Sequence, residues 1–385
     1  MITALRLINF KPFENQFLEF RPLTLLSGVN STGKSSVLQS LLLLRQSYQK
    51  ELLPAIGLAL NGDLVCIGTA QDAFCERAKV DYIGIEITWK GYKKSLWEFQ
   101  YNPEKKDAVI LNVAGRFDDY DDFDAAKFSL FNHKFHYLQA ERIGPRTVNQ
   151  IPNYEVKQIG FGQIGSKGEY TTHFLAVNEN KPIPNSQLSH PEVKIAQRQY
   201  GDPETKSQAL KDQVEAWMKE VSPGTRININ LMPDMDLISL RYFYGDSNSY
   251  RATNVGFGIT YTLPIIVAIL ASEPDTLILL ENPEAHLHPK GQSKMGELLA
   301  MAASCGVQVV IETHSDHVLN GIRRAVKAGK VEATDVQLHY FYREEENEKT
   351  TRTKVVSPKM DEDGRIDKWP EGFFDQAEKD LLELL

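Results

Sequence analysis

Cysteine is scarce in this chain: three in 385 residues, Cys66, Cys75 and Cys305, with no C-x-x-C spacing. Neither a zinc ribbon nor a disulfide framework is indicated. Long hydrophobic runs are missing as well. The longest, Ile259 to Ala271, is too short to span a bilayer and contains Pro264. The N-terminus has no signal-peptide core, because Arg6 and Asn9 interrupt its apolar residues. Positive charge is not in excess: the net charge is −8, so a nucleic acid or an acidic membrane would need a local basic patch. Sustained heptads and internal repeats are lacking too, which argues against a long coiled coil or a solenoid. What remains, with 42% hydrophobic and 24% charged residues, has the proportions of a globular protein. One large or two ordinary domains, cytoplasmic and not membrane-bound, are expected.

The stretch that stands out is Gly28-Val29-Asn30-Ser31-Thr32-Gly33-Lys34-Ser35, a G-x-x-x-x-G-K-S phosphate-binding loop. Leu23 to Ser27 before it suits a buried strand. Ser36 to Tyr48 after it places Val37, Leu38, Leu41, Leu42 and Leu44 at helical spacing. A strand, a glycine turn and a helix start bring backbone N–H groups together on an anion. In that geometry Asn30 to Ser36 surround the phosphates of a nucleoside triphosphate, Lys34 reaches the β- and γ-phosphates, and the Ser35 hydroxyl ligates Mg²⁺. A second anchor is Leu277-Ile278-Leu279-Leu280-Glu281-Asn282-Pro283-Glu284-Ala285-His286-Leu287-His288-Pro289. Four apolar residues and then an acid read as a parallel strand delivering a carboxylate, Glu281, to a metal ion at its C-terminal end.

Between these anchors lie predicted strands over 2–10, 16–20, 80–89, 94–101 and 108–113, and an acidic turn over 118–122 that reads as a solvated loop. A polar stretch over 148–202 reads as loops. An amphipathic helix over 206–221, strands over 228–231 and 237–244, a strand over 307–311 and a helix over 316–328 come after it. His286 and His288 form an H-x-H pair that invites a metal reading. No third ligand lies near in sequence, and a surface loop is the alternative.

Asn9-Phe10-Lys11-Pro12-Phe13, with a short strand and G-x-N-x-x-G-K-S-S after it, resembles the opening of the ABC-like ATPases of the RecF, SMC and OLD type. The run from Leu277 to Pro289 is similar to their Walker B and D-loop, usually written D-E-P-E-A-H-L-H-P. Here Glu281 stands for the aspartate and Asn282 for the glutamate that polarises the attacking water. An amide cannot serve as a general base. Three readings stay open: slow hydrolysis, Glu284 in the catalytic role, or a register that puts Glu281 there. The resemblance also implies that His286 and His288 lie in a loop crossing a dimer interface. It makes His314, in Thr313-His314-Ser315, the switch histidine at the γ-phosphate. Thr313 or Ser315 also suits a helix cap, and both roles are compatible.

Asn254-Val255-Gly256-Phe257-Gly258, 27 residues ahead of Glu281, lies where the signature segment of such ATPases belongs. Asn254 takes the place of the serine and Gly256 that of the glycine, touching the γ-phosphate held by a second copy. A glycine-rich helix start without a ligand is the alternative. Gln71 is a candidate for the glutamine that contacts Mg²⁺ or water. The tail Asp363-Gly364-Arg365-Ile366 to Phe374-Asp375 resembles a branch of small prokaryotic ATPases often found in bacterial defence contexts.

The resemblance implies an α/β ABC-type P-loop ATPase head with a mixed sheet, an antiparallel β subdomain, and a helical and loop insertion in place of a coiled coil. The expected organisation is an N-terminal core part over 1–75 and an inserted lobe over 76–250 that re-enters the core near 135–146. A C-terminal core part over 251–340 and a terminal segment over 341–385 complete it. The implied function is an ATPase with ATP and Mg²⁺ that dimerises on ATP and serves as a switch or sensor for a partner nuclease or toxin, DNA being a possible further ligand. An ATP-dependent scaffold with little hydrolysis is the other reading. A nuclease of the OLD type is disfavoured: only about 70 residues come after His314, too few for a Toprim domain, and no H-N-H or P-D-(D/E)-x-K run is found.

Overall fold

A computed structural model of the chain describes all residues except 92, 119–123, 152–163, 195–205, 246, 348–349 and 385. Most of the acidic turn and part of the polar stretch lie outside the described residues. The chain falls into two compact units: residues 1–132, 336–360 and 366–385, and residues 133–335 with 361–365.

In the first unit, a sheet runs in the order Phe13–Glu19, Ile2–Phe10, Tyr82–Trp89, Lys94–Gln100, Ile110–Asp118 and Gly57–Ala59. All its pairings are antiparallel. Alternation explains it: Leu5 and Leu7 on one strand, and Ile83, Ile85 and Ile87 on the next, are fully buried, while Arg6 and Glu86 between them are half-buried on the other face. Asn9 and Lys11 close the first turn with φ of 52° and 51°, and the Asn9 amide donates to the Tyr82 carbonyl at 3.0 Å. The Ile110–Asp118 strand runs further than its apolar residues suggest, because Arg116 pairs with Asp118 at the strand end.

The phosphate-loop strand, Leu23–Gly28, is parallel to Val336–Asn347, which turns back antiparallel through Thr350–Val356. The helix Lys34–Gln49 comes directly after the loop and buries Val37, Leu38, Leu41, Leu42, Leu43 and Leu44 completely. Arg45 on this helix is buried too. It donates to the carbonyls of Leu130 and Asn132 at 2.7 and 3.0 Å, and burial lowers its pKa to about 10. The tail after Val356 is a turn closed by a bridge from Met360 to Ile366. A helix, Gln376–Leu384, ends it.

In the second unit, Phe135–Leu138, Leu277–Glu281 and Gln308–Glu312 are parallel neighbours in that order, mostly apolar as strands covered on both faces are. Their register sets Glu281 opposite Glu312 at the C-terminal ends. Four further strands, Thr225–Met232, Leu237–Tyr244 and the short Asn149–Gln150 and Tyr250–Arg251, make an antiparallel sheet. The helices are Thr171–Asn178, Leu210–Val221, Phe257–Ala271, Pro289–Ser304 and Asp316–Lys327. The first of these corrects the reading of 148–202 as loops. Phe174 and Leu175 are buried, but eight residues without a clear polar face carry little helical pattern. Pro289–Ser304 and Asp316–Lys327 meet at glycines. A Cβ on Gly296 would stand 2.1 Å from the Val318 carbonyl oxygen, and one on Gly321 2.0 Å from that of Ser293. No helix among the described residues is long and apolar enough to cross a membrane.

Candidate functional site

The phosphate loop belongs to the first unit, and two glycines set its shape. Gly28 has φ of +138°, and a Cβ there would lie 2.0 Å from the Phe341 carbonyl oxygen. Gly33 has φ of +95°, and a Cβ would lie 2.6 and 2.7 Å from the Phe13 and Pro12 side chains. The loop is therefore threaded between the Val336–Asn347 strand and the Pro12-Phe13 turn, which gives the N-F-K-P-F motif a steric role. Ser31 is left-handed as well, at φ of +61°, and its carbonyl accepts from Arg343 at 2.9 Å. Asn30 and Ser31 are exposed, whereas Thr32 and Ser36 are buried, with the Thr32 hydroxyl bonded to the Val29 carbonyl at 2.7 Å. Lys34 is buried, and its ammonium donates to the carbonyls of Gly28 and Val29 at 3.0 and 2.8 Å. Ser35, half-buried, is the second helical residue. This cradle of backbone amides with a lysine on its rim fits a polyphosphate.

Gln71 is exposed on a four-residue turn of helix, Ala70–Ala73, held by a capping box from Thr69 and Asp72. It lines a cavity of about 550 Å³ together with Lys11, Ser31, Arg77 and Arg343. Burial lowers the pKa of Lys11.

The acid turn belongs to the second unit. Glu281 accepts from the Tyr137 hydroxyl at 2.9 Å and from the Ala140 N–H at 3.0 Å, one bond to each carboxylate oxygen. Burial, then the neighbouring Glu281, push the Tyr137 pKa up, so its proton stays available for this bond. Asn282 turns the chain with φ of +44°, a conformation asparagine tolerates better than most residues, and its N–H donates to the Glu312 carbonyl. Glu284 spans to the Thr313–Ser315 segment. Its Oε2 accepts from the Thr313 hydroxyl at 2.7 Å and its Oε1 from the His314 N–H at 2.9 Å. His314 itself is exposed, and Ser315 caps the next helix by accepting from Val318 at 3.0 Å. The cap and an outward-facing histidine thus coexist.

His286 and His288 are not on a strand. His286 is left-handed at φ of +62°, His288 caps Pro289–Ser304, and neither is buried. Among the described residues no cluster of three or more potential ligands forms. Asn254 closes a short 3-10 turn and Gly256 is the N-cap of Phe257–Ala271, and both are exposed. A Cβ on Gly256 meets nothing within 4 Å and its φ is −61°, so the fold does not itself require glycine there.

Sequence reasoning missed Tyr137 and Arg142. Both lie in Phe135 to Arg146, seen as a stretch but not as a source of site residues. Arg142 donates to the carbonyls of Glu281 and Asn282 at 2.8 and 2.6 Å. An arginine and a tyrosine beside a buried strand were the only local signal.

Three family models match the sequence. Residues 1–138 match one described as an AAA ATPase domain. Residues 168–320 match one described as "AAA domain, putative AbiEii toxin, Type IV TA system", and residues 331–384 match "Protein of unknown function (DUF3696)". No curated protein matches. Among solved structures, the chain is similar to an SMC head bound to the C-terminal winged-helix domain of ScpA. The identity is 12% and the TM-score 0.51, over 92% of this chain and 97% of that one. It is also similar to an SMC head from Thermotoga maritima, at 11% identity and TM-score 0.44 over 92% and 98%. An SMC head bound to the C-terminal domain of ScpA from Pyrococcus furiosus gives 11% and 0.49 over 100% and 99%. The first of these carries the fold assignment. The chain has the α/β fold of a P-loop ATPase head like that of SMC proteins, with AAA ATPase sequence matches on both of its units.

Proposed function

We propose that this protein binds ATP with Mg²⁺ at the phosphate loop, dimerises on it and hydrolyses it slowly. The loop carries the reading: two sterically obligatory glycines, a helix N-terminus and Lys34 in one cradle. Lys34 exchanges its two backbone carbonyls for the β- and γ-phosphates, and the Ser35 hydroxyl and the Glu281 carboxylate hold the metal. Each Glu281 oxygen takes a single hydrogen bond, which leaves a lone pair for a cation. Bound Mg²⁺ supplies charge neutralisation on the transferring phosphoryl group. Gln71 is assigned to the metal or its water, and His314 to the γ-phosphate.

Water activation is the open part of the site, since Asn282 has no basic group and Glu284 is occupied by Thr313 and His314. A scaffold that binds ATP and scarcely turns it over is therefore the second reading. In either case the protein acts as a switch for a partner nuclease or toxin in a defence system; one matching family description names a type IV toxin–antitoxin system. DNA remains a further candidate ligand.

Asn254 and Gly256 are assigned to the γ-phosphate of a facing copy, giving a two-fold dimer in which two identical patches meet. Open space around Gly256 supports this, because the glycine answers no need of its own unit. Sedimentation with a slowly hydrolysed ATP analogue is expected to show a dimer. Gly256→Asp is expected to remain monomeric while binding the analogue with unchanged affinity. A wild-type monomer at saturating analogue would overturn the dimer.

A further inference from the structure

Arg142 is 2% exposed, yet among the described residues its guanidinium bonds no carboxylate directly. All three of its hydrogen bonds go to backbone carbonyls: Gln139 at 3.0 Å, Glu281 at 2.8 Å and Asn282 at 2.6 Å. Its Nε has no partner among the described residues. A buried cation spent on carbonyls is an expensive way to hold a turn, since charge-assisted bonds must offset its desolvation. The turn it holds is the one that carries the chain out of the acid strand, where Asn282 is left-handed.

The other face of the guanidinium leads elsewhere. It lies over the Tyr261 ring, 5.4 Å from the centroid. Tyr261 sits on Phe257–Ala271 and meets the His286 ring edge-on at 4.7 Å. Phe257, at the first helical position, meets His286 at 5.7 Å. The backbones are locked as well: a Cβ on Gly258 would stand 2.5 Å from the His286 carbonyl oxygen. Phe257 is 54% exposed, directly after Gly256. A continuous set of contacts therefore runs from an exposed aromatic at the helix start, through His286 and Tyr261, to the guanidinium that orients Glu281 and Asn282.

We propose that Arg142 is a positioning residue that couples the exposed start of the Phe257–Ala271 helix to the acid turn, so that a change at Phe257 is felt in the orientation of Glu281 and Asn282. This rests on the ATPase reading for its consequence, a change in turnover, but not for its geometry. Lysine cannot replace the fork, because one ammonium cannot satisfy three carbonyls in its plane. Tyr261 provides the other link through its ring, and its hydroxyl is dispensable to the cation–π contact.

The test has two readouts. In single-turnover hydrolysis, Arg142→Lys and Tyr261→Leu are expected to slow the rate about tenfold, the size of a typical coupling energy. Equilibrium binding of a fluorescent ATP analogue stays within about twofold, and Tyr261→Phe restores the rate that Tyr261→Leu loses. Hydrogen exchange without nucleotide is independent of ATPase activity. Tyr261→Leu is expected to speed exchange at the amides of Asn282 and Glu284 to Leu287 about tenfold, with the rest of the unit unchanged. Should Arg142→Lys fail to fold, the two Tyr261 variants still decide. Unchanged exchange in Tyr261→Leu, or faster exchange spread over the whole unit, overturns the coupling. A wild-type protein that binds ATP without turning it over contradicts the hydrolysis reading alone, and the exchange result then stands by itself.

Discussion

The phosphate loop and the acid turn solve the same problem, holding a chemically active group in place, by opposite means. The loop is held by what it lacks. Gly28 and Gly33 have no side chain, so strand backbone and the Pro12-Phe13 turn close in, and Lys34 rests on carbonyls of its own loop. The acid turn is held by added side chains. Tyr137 and Arg142 from one stretch, and Thr313 from another, fix Glu281, the Asn282 carbonyl and Glu284. A loop of the first kind is open to an anion that displaces the lysine. A turn of the second kind moves only when its supports move, which suits a switch.

The largest effect is expected where the turn lacks a base. Asn282→Glu supplies a carboxylate where the resemblance puts the water-activating group, and is expected to raise single-turnover hydrolysis by up to the ~10²–10⁴-fold of general-base catalysis. Part of the gain is offset because glutamate in the left-handed conformation costs about 1 kcal/mol. Glu284→Gln is expected to change the rate little, as its oxygens serve Thr313 and His314. A collapse of turnover in Glu284→Gln with intact binding would instead make Glu284 the base and erase the distinction between support and chemistry.

A smaller effect separates the units by pH. His339, beside the loop strand, is buried between the Glu19 carbonyl and the Ser357 hydroxyl, each at 2.8 Å from one ring nitrogen. A carbonyl only accepts, so Nε2 carries a proton, and in the neutral ring Nδ1 accepts from Ser357. Burial lowers its pKa from 6.5 to about 4, partly opposed by the Glu19 carbonyl. The unfolded chain binds the proton first as pH falls. Stability is thus full above pH 6.5 and is lost between 6.5 and 4, by about 3 kcal/mol. Urea midpoints across that range are expected to fall for the wild type and to fall less for His339→Gln. Parallel pH profiles would contradict this.

The smallest effect probes a single support. Thr313→Val removes the hydroxyl that donates to Glu284 and accepts from the Ser315 N–H at 3.1 Å, and leaves the His314 N–H bond, a loss of about 1–2 kcal/mol. A thermal midpoint lowered by a few degrees with unchanged ATP binding is expected. An unchanged midpoint would mean that Glu284 is held by the backbone alone.

The contrast also explains what could be read from the sequence. The loop was legible because glycines, lysine and serine lie within eight residues, and the acid strand because four apolar residues and an acid are contiguous. The partners of the acid turn were not. Arg142 reaches the Asn282 carbonyl across 140 positions, and Tyr137 reaches Glu281 across 144, so only the fold brings them together. His286 and His288 lie in a loop, the alternative to the metal reading, because left-handed Asn282 and His286 turn the chain there, and no periodicity records φ. Gly256 carried its signal in the opposite sense: its glycine becomes informative once the space around it is seen to be open.

The central claim is that binding and turnover divide between the two regions. Equilibrium binding of ATP and single-turnover hydrolysis, measured together in Lys34→Ala and Glu281→Gln, test it. Glu281→Gln is a fair probe of the acid because its amide oxygen still accepts from Ala140 and its amino group can donate to the Tyr137 oxygen. Lys34→Ala is expected to lose both properties, and Glu281→Gln to keep binding within about tenfold while losing hydrolysis. ATP bound by Lys34→Ala as tightly as by the wild type would contradict the phosphate-loop reading. Undiminished turnover in Glu281→Gln would remove the acid turn from the chemistry.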